Sequence, residues 1–129
     1  MVSSNVLGGC QGSTGPSSLD TNGREFGTSF PYITIRDQVT AQRDLAHLIG
    51  IKKWHAVLGG SVGAMHALEW AIMYPDEVKR VGVIAGPPAL TADQIALNSI
   101  QIQAIKSDPA FANGNYYDAK PGFGPHQGL

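Results

Sequence analysis

The stretch that decides the fold is VLGGSVGAMHALEWAIMYP, which runs from Val57 to Pro75. It opens with a short apolar run that stops at two glycines, as a buried strand does when it enters a turn. Beyond the serine at position 61, apolar residues return at helical spacing, at Met65, Leu68, Ala71 and Ile72. The stretch therefore predicts a strand, a sharp turn and a helix that ends before the proline.

The turn itself carries the pentapeptide GGSVG (59–63), which fits the pattern G-x-S-x-G in the strand-turn-helix setting that gives this pattern its meaning. A serine on such a turn has a strained backbone and an exposed hydroxyl, and glycines beside it remove side chains that would collide with the neighbouring strand and helix. The positive end of the following helix faces the same point, so its first amide can donate to an oxyanion. We therefore predict the following site: Ser61 as catalytic nucleophile, Val62 as oxyanion-hole donor, and Gly59, Gly60 and Gly63 as elbow glycines, with no metal.

Ser61 also has a simpler interpretation. Serine is among the commonest helix N-caps, and glycines around a cap permit close packing without any chemistry. The strand before the serine and the helix after it favour the catalytic interpretation, although the capping alternative stays open.

A nucleophilic serine needs a histidine to take its proton and an acid to orient that histidine, in the chain order Ser, Asp or Glu, His. His66 lies five residues after Ser61 on the same predicted helix, so we expect it to point away from the turn and to be structural. His126 lies in a Gly/Pro-rich tail that has no predicted strand to position it. We also assign His47 and His55 to structure. The acids that follow the serine are Asp76, Asp93, Asp108 and Asp118, and none is predicted as the partner.

The rest of the chain alternates helices and strands. Residues 34–51 predict an amphipathic helix with Thr34 as N-cap and Gly50 just beyond its end, residues 78–86 predict a strand, and residues 91–108 predict a helix that starts at Thr91. This alternation indicates an α/β fold with a parallel, doubly wound sheet.

The two ends of the chain give weaker signals. Val2, Val6 and Leu7 resemble the end of a strand, and the stretch after residue 108 is rich in turns, so both ends look like cuts. Residues 8–31 form a long Gly/Ser/Pro-rich stretch that we interpret as a functional loop, with Gly8–Gly15 at the rim of a pocket. The stretch GGCQGSTG lacks the G-K-[ST] ending of a phosphate-binding loop.

Composition limits the possible functions. The 129 residues are 43% hydrophobic and 15% charged, with a net charge of −1 and scattered basic residues, which predicts one domain without a nucleic-acid footprint. No run is long enough to span a membrane and no signal peptide is visible, so we expect a soluble cytoplasmic protein. Cys10 is the only cysteine, which excludes an internal disulfide and favours a structural role for that thiol.

Four stretches together resemble one family: NVLGGCQGSTGPSS (5–18), FPYITIRDQV (30–39), GGSVGAMHALEWAIMYP (59–75) and ADQIALNSIQIQAIKSDP (92–109). They are similar to homoserine O-acetyltransferase. The resemblance implies an α/β-hydrolase fold, and transfer of an acetyl group from acetyl-CoA to L-homoserine through an acetylated Ser61, as a step of methionine biosynthesis. It implies no cofactor beyond acetyl-CoA as co-substrate, no nucleic-acid or membrane partner, and a homodimer for the full-length protein. Val62 and Ala64 depart from the methionine and glycine that are usual in the family.

The resemblance covers only the middle of a full-length member, so residues 1–129 are predicted to be a partial α/β-hydrolase domain, with the nucleophile elbow at 59–63 and the start of the lid region at about 90–129. The segments that carry the second oxyanion donor, the catalytic aspartate and histidine, and a substrate-binding arginine have no counterpart. We therefore expect the isolated chain to have little or no transferase activity. The alternatives are a serine esterase of the same fold and a non-catalytic truncated remnant; the donor (acetyl or succinyl) and the acceptor stay open.

Overall fold

The computed structural model of the chain describes residues 1–9 and 11–117. The chain forms two compact units. The first, which we call the elbow unit, comprises residues 1–7 and 32–89, and the second unit comprises residues 8–31 and the part of the chain that follows residue 89. No helix of the described ranges is both long and apolar enough to cross a membrane.

The elbow unit is built around two parallel strands, β1 (Val57–Gly60) and β2 (Val81–Ile84). They pair in register from Val57 opposite Val81 to Gly60 opposite Ile84, and an isolated parallel bridge joins Trp54 to Val78. Helix α2 (Val62–Met73) connects the strands and contacts both of them. The predicted strand-turn-helix and the parallel α/β arrangement are confirmed.

A second helix, α1 (Ile35–Leu48), packs against α2 and completes the core of this unit. Its N-terminus is a capping box in which the Thr34 side chain accepts from the N–H of Asp37 while the Asp37 carboxylate accepts from the N–H of Thr34. Gly50 follows the helix with φ +83°, the left-handed conformation that favours glycine. Both predicted ends of this helix are confirmed. The buried apolar side chains belong to the two helices: Val39, Ala46, Ala64, Ala67 and Trp70.

A polar cluster ties α1 to the short 3-10 helix Pro75–Glu77 that follows α2. The Arg43 guanidinium donates from Nε and Nη2 to the Glu77 carboxylate, with a shortest distance of 2.6 Å, and lies 4.5 Å from the centre of the Tyr74 ring. His47 contacts the same carboxylate at 3.2 Å. The hydrogen bonds from Arg43 lower the pKa of Glu77, which favours the ionised carboxylate.

The second unit is less regular than the elbow unit. It contains α3 (Ala92–Ser107), whose Gln94 side chain accepts from the N–H of Thr91 as the predicted helix start requires, and the 3-10 segments Gly27–Ser29 and Pro109–Gly114. Within residues 8–31, Leu19 and Glu25 form an antiparallel bridge around a turn in which the Asp20 carboxylate accepts from two backbone N–H groups. This part of the predicted loop is held by its own hydrogen bonds, since a side chain accepts from the backbone of the turn.

One predicted strand is absent. Val2, Val6 and Leu7 lie outside any strand in the structure, and the sheet that they were expected to join consists of β1 and β2 in the described ranges. A strand forms only where a neighbouring strand completes its hydrogen bonds, and local apolar residues do not provide that.

Candidate active site at the strand-helix elbow

Ser61 stands at the turn between β1 and α2 with φ 56° and ψ −121°. A positive φ is uncommon for a residue with a side chain, so this backbone is strained and has to be held by its surroundings. Two hydrogen bonds hold it: the N–H of Ser61 donates to the carbonyl of Ile84 at 3.0 Å, and its carbonyl accepts from the N–H of Ala64 at 3.0 Å. The end of β2 and the first turn of α2 therefore fix the serine from both sides.

The hydroxyl of Ser61 is accessible to a substrate. The residue is exposed and its hydroxyl makes no capping bond to the helix that it precedes. Among the described residues, no side chain hydrogen-bonds to this hydroxyl. The geometry is thus that of an exposed hydroxyl beside the first turn of α2, where the N–H of Val62 has no acceptor within the helix. Such a group can attack an electrophile while the amide stabilises the negative charge that develops.

The elbow glycines differ in what they do. A Cβ on Gly59 would lie 1.8 Å from the carbonyl oxygen of Gly63 and 2.8 Å from the N–H nitrogen of Ala64, so only glycine fits there, as predicted. A Cβ on Gly63 would meet nothing within 4 Å, and one on Gly60 would only touch the Ile84 carbonyl at 3.9 Å. The steric explanation is therefore wrong for Gly63, because that residue borders an open cavity rather than packed atoms.

Residues that the sequence analysis missed pack beneath the elbow. A Cβ on Gly86 would lie 2.3 Å from the Ala64 methyl and 2.8 Å from the Ser61 carbonyl oxygen. Ala85 beside it has φ 50°, a second strained residue at the same place. Gly86 thus leaves room for the methyl of Ala64, which is fully buried. In the sequence, this close packing was indicated only by the position of Gly86 at the end of a predicted strand.

No described histidine is positioned to activate Ser61. His47 contacts Glu77, and His55 contacts Arg80 at 2.9 Å, as expected for structural residues. His66 is buried and lies between two glutamines of α1, so the expectation that it is structural is confirmed. His126, Asp118 and Cys10 lie outside the described residues.

His66 belongs to a hydrogen-bonded chain that joins α1 to α2. The indole N–H of Trp70 donates to Gln42 Oε1 at 2.9 Å, which turns the Gln42 amide nitrogen toward His66 Nδ1 at 3.3 Å. His66 Nδ1 must therefore accept, and its Nε2 donates to Gln38 Oε1. The sequence contains the two residue pairs of this hydrogen-bonded series, 38/42 and 66/70, each at the i, i+4 spacing of one helix face. It does not show that the two pairs meet, because that contact depends on how α1 packs against α2.

This arrangement predicts a loss of stability in mild acid. Burial lowers the pKa of His66 below its ordinary value of 6.5, so the folded state keeps it neutral while the unfolded state takes up a proton. The free energy of unfolding should therefore fall as pH drops below about 6.5, by at most about 1.4 kcal/mol per pH unit. The measurement is urea unfolding between pH 7.5 and pH 5, followed by tryptophan fluorescence.

The matched variants for this measurement are His66→Gln, whose amide can replace both hydrogen bonds without titrating, and His55→Gln at an exposed position. The first should flatten the pH dependence and the second should leave it unchanged. If the free energy of unfolding depends equally on pH in the wild-type chain and in His66→Gln, His66 is not the cause of the acid destabilisation.

The acidic residues do not assemble into a metal site. In residues 1–9 and 11–117, no group of three or more His, Cys, Asp or Glu side chains is arranged to hold a metal ion. Asp93 lies in the first turn of α3, and Asp108 caps the next segment by accepting from the N–H of Ala110.

The chain is similar in sequence to enzymes that transfer acyl groups to homoserine. The chain is 59% identical over 125 residues to a homoserine O-acetyltransferase of Leifsonia xyli, which covers 97% of the chain and 31% of that enzyme. It is 51% identical to a homoserine O-succinyltransferase of Pseudomonas fluorescens, over 100% of the chain and 34% of that enzyme. The chain thus spans about a third of the length of the curated relatives that it matches.

Solved structures and a family model agree with this similarity. Homoserine O-acetyltransferase from Bacillus anthracis superposes with a TM-score of 0.82 at 33% identity, over 91% of this chain and 31% of that one. An acetylester hydrolase from Corynebacterium glutamicum superposes with a TM-score of 0.75 at 33% identity, over 81% and 30%. The model of the alpha/beta hydrolase fold matches residues 2–125. With a parallel sheet, a serine elbow and a match across nearly the whole chain, the protein belongs to the α/β-hydrolase fold family.

Proposed function

We propose that this chain is the nucleophile-bearing part of a homoserine O-acyltransferase, and that the acyl group is acetyl. The observation that carries the proposal is the exposed, uncapped hydroxyl of Ser61 on a strained elbow at the start of α2. The similarity to the Leifsonia xyli acetyltransferase at 59% identity supports the choice of reaction and favours acetyl over the succinyl group of the less similar relative.

In the proposed reaction Ser61 Oγ attacks the thioester carbonyl of acetyl-CoA. The new bond joins Oγ to the acetyl carbon, the carbon–sulfur bond breaks, and CoA leaves as a thiol with the serine proton. The hydroxyl of L-homoserine then attacks the acetyl-serine, so that O-acetylhomoserine leaves and Ser61 is restored. The N–H of Val62 donates to the oxyanion in both steps. The proton acceptor is not one of the described histidines, since each is engaged elsewhere.

The remaining features of the proposal follow from the same resemblance. Acetyl-CoA is a co-substrate, no further cofactor or metal takes part, and the reaction is a step of methionine biosynthesis in the cytoplasm. Residues from about 90 onward form the start of a lid, and the full-length protein is a homodimer that binds neither nucleic acid nor membranes.

The isolated chain should transfer acetyl groups slowly or not at all. A serine that lacks its histidine and acid retains only residual catalysis. The measurement is release of CoA from acetyl-CoA by the 129-residue chain, with and without L-homoserine. A homoserine-dependent turnover in the ordinary enzymatic range, about 1 s⁻¹ or more, would show that the chain is sufficient by itself.

A chimera tests the function directly. In it, this chain replaces the matching 125 residues of the Leifsonia xyli acetyltransferase. If the proposal is right, the chimera releases CoA in a homoserine-dependent manner and forms O-acetylhomoserine. A folded chimera with no such activity would count against it.

A second candidate is an esterase, because an acetylester hydrolase superposes on this chain at the same 33% identity as the Bacillus anthracis acetyltransferase. In that case water would take the acyl group from Ser61. The two candidates separate in the chimera assay: an esterase releases acetate at a rate that homoserine does not change, whereas the transferase needs homoserine.

A further inference from the structure

The segment at the end of β2 contacts Ser61 at both of its backbone groups. The carbonyl of Ile84 accepts from the N–H of Ser61 at 3.0 Å. Two residues later, a Cβ on Gly86 would lie 2.8 Å from the carbonyl oxygen of Ser61. All three residues belong to the elbow unit. Main-chain atoms of residues 84–86, which are distant in sequence, therefore help to place the backbone of the serine.

The chain bends at Ala85, between these two contacts. Ala85 has φ 50°, in the left-handed region where a residue with a side chain is uncommon. The carbonyl that accepts from Ser61 belongs to the peptide bond between Ile84 and Ala85, so one hydrogen bond joins the two strained residues. Strain of this kind persists only where the surrounding structure holds it, and it is often found at functional sites.

Gly86 and Ala64 share the space of a single methyl group. The methyl of Ala64 is fully buried, and it lies 2.3 Å from the place that a Cβ on Gly86 would occupy. Carbon atoms that are not bonded to each other pack at about 3.5–4.0 Å, so only one of the two residues can carry a methyl. An alanine Cβ is fixed by the backbone, and no side-chain rotation relieves such a contact. A second methyl would therefore displace the first turn of α2 from the end of β2.

The first turn of α2 carries both groups that we propose for the chemistry. The N–H of Ala64 donates to the carbonyl of Ser61 at 3.0 Å, so a displacement of Ala64 reaches the peptide bond of the serine. The other end of that peptide bond is the N–H of Val62, the proposed oxyanion donor. A reacting group that is misplaced by about 1 Å can lose about 10²-fold in rate.

We propose that Gly86 is a positioning residue for acyl transfer to Ser61. By leaving the shared space to the methyl of Ala64, it sets where Ser61 Oγ and the N–H of Val62 stand relative to the sheet. It acts through the backbone of the serine rather than on the acyl group. The inference rests on the proposed function, in which Ser61 accepts the acyl group.

The test uses the chimera with the Leifsonia xyli acetyltransferase and a fluorophosphonate, which reacts with a nucleophilic serine whichever acyl acceptor that serine serves. Ser61 Oγ bonds to phosphorus, the phosphorus–fluorine bond breaks, and fluoride leaves with the serine proton. Gly86→Ala should lower the rate constant of labelling about 10²-fold. In homoserine acetylation, kcat should fall by a similar factor while KM for acetyl-CoA stays within about threefold.

The final extent of labelling separates positioning from a merely structural role. Positioning lowers the rate constant of a folded site, so Gly86→Ala should in time be labelled as completely as the parent chimera. A residue that only stabilises the fold would instead lower the fraction of chains that can be labelled and leave the rate constant of the folded ones unchanged.

Ala64→Gly tests the shared space, because it removes the buried methyl. In the Gly86→Ala background it should raise the labelling rate constant at least about tenfold, whereas alone it should lower it less than about threefold. The control is Gly82→Ala, which adds the same methyl to β2. There the Cβ would meet Cδ2 of Leu58 at 2.4 Å, the end of a side chain that can rotate, so the rate constant should stay nearly unchanged.

Two results would overturn the proposal: a rate constant in Gly86→Ala equal to that of the parent, or a fall that Ala64→Gly does not relieve. If Gly86→Ala does not fold, the double variant is compared with Ala64→Gly alone. A Cβ at position 86 still lies 2.8 Å from the Ser61 carbonyl oxygen, so the double variant should react at least about threefold more slowly. Equal rates would overturn the proposal.

Failure of the proposed function gives a different result. A parent chimera that is labelled at Ser61 but does not acetylate homoserine would overturn the transferase function, while the labelling rates of the variants still decide the role of Gly86. A folded parent chimera that is not labelled at Ser61 would overturn both.

Discussion

Replacing Ser61 with alanine in the chimera is expected to lower kcat/KM for homoserine acetylation by on the order of 10⁴-fold or more. The variant removes the oxygen that is proposed to carry the acetyl group, while the backbone hydrogen bonds of Ser61 to Ile84 and Ala64 remain. The structure should therefore persist and only the chemistry should be lost. The measurements are CoA release and the mass of the protein after brief exposure to acetyl-CoA.

The control is Ser99→Ala, at an exposed serine of α3 whose hydroxyl only bonds to the Ile95 carbonyl of the same helix. It should leave kcat/KM nearly unchanged. In the parent chimera an added acetyl group should map to Ser61, and in Ser61→Ala it should be absent. If the alanine variant keeps most of its turnover, Ser61 is not the nucleophile, and the alternative that it has only a structural role at the start of α2 is favoured.

The second large effect is expected at Gly59, where alanine should destabilise the elbow unit by about 3 kcal/mol or more. The added Cβ would lie 1.8 Å from the Gly63 carbonyl oxygen and 2.2 Å from its carbonyl carbon. These are backbone atoms of the first turn of α2, so no side-chain rotation relieves the contact. The measurement is urea unfolding followed by tryptophan emission, which reports this unit because Trp54 and Trp70 both lie in it.

Gly63→Ala is the matched control for Gly59→Ala. It adds the same methyl to the same pentapeptide, but at a position where a Cβ meets nothing within 4 Å and where the backbone is helical. Because alanine is the better helix former, the change should be neutral or stabilising by up to about 1 kcal/mol. Equal destabilisation by both variants would mean that the contact between β1 and α2 is not the cause.

The elements that the sequence predicted well are those whose signals are local. The capping box between Thr34 and Asp37, the glycine at position 50 and Gly59 each constrain the backbone within a few residues of themselves. The parallel arrangement followed because a helix between two short apolar strands leaves few other topologies. The position of Ser61 on an elbow was predictable for the same reason.

The features that the sequence did not predict depend on contacts between distant segments. Residues 1–7 have apolar side chains at strand-like positions, yet they form no strand, and no strand among residues 1–9 and 11–117 pairs with them. The chain of hydrogen bonds through His66 and the contact of Gly86 with Ala64 require α1, α2 and the end of β2 to be in place first. The sequence predicted no histidine or acid as the partner of Ser61, and the described histidines contact other residues.

The approach of Gly59 to Gly63 has a consequence for how this protein tolerates change. Strand and helix meet there through main-chain atoms, with no layer of side chains between them. A substitution at Val62, whose side chain is exposed, is therefore expected to leave this contact between strand and helix in place. The close backbone contact beside Ser61 thus does not depend on which side chain stands at position 62.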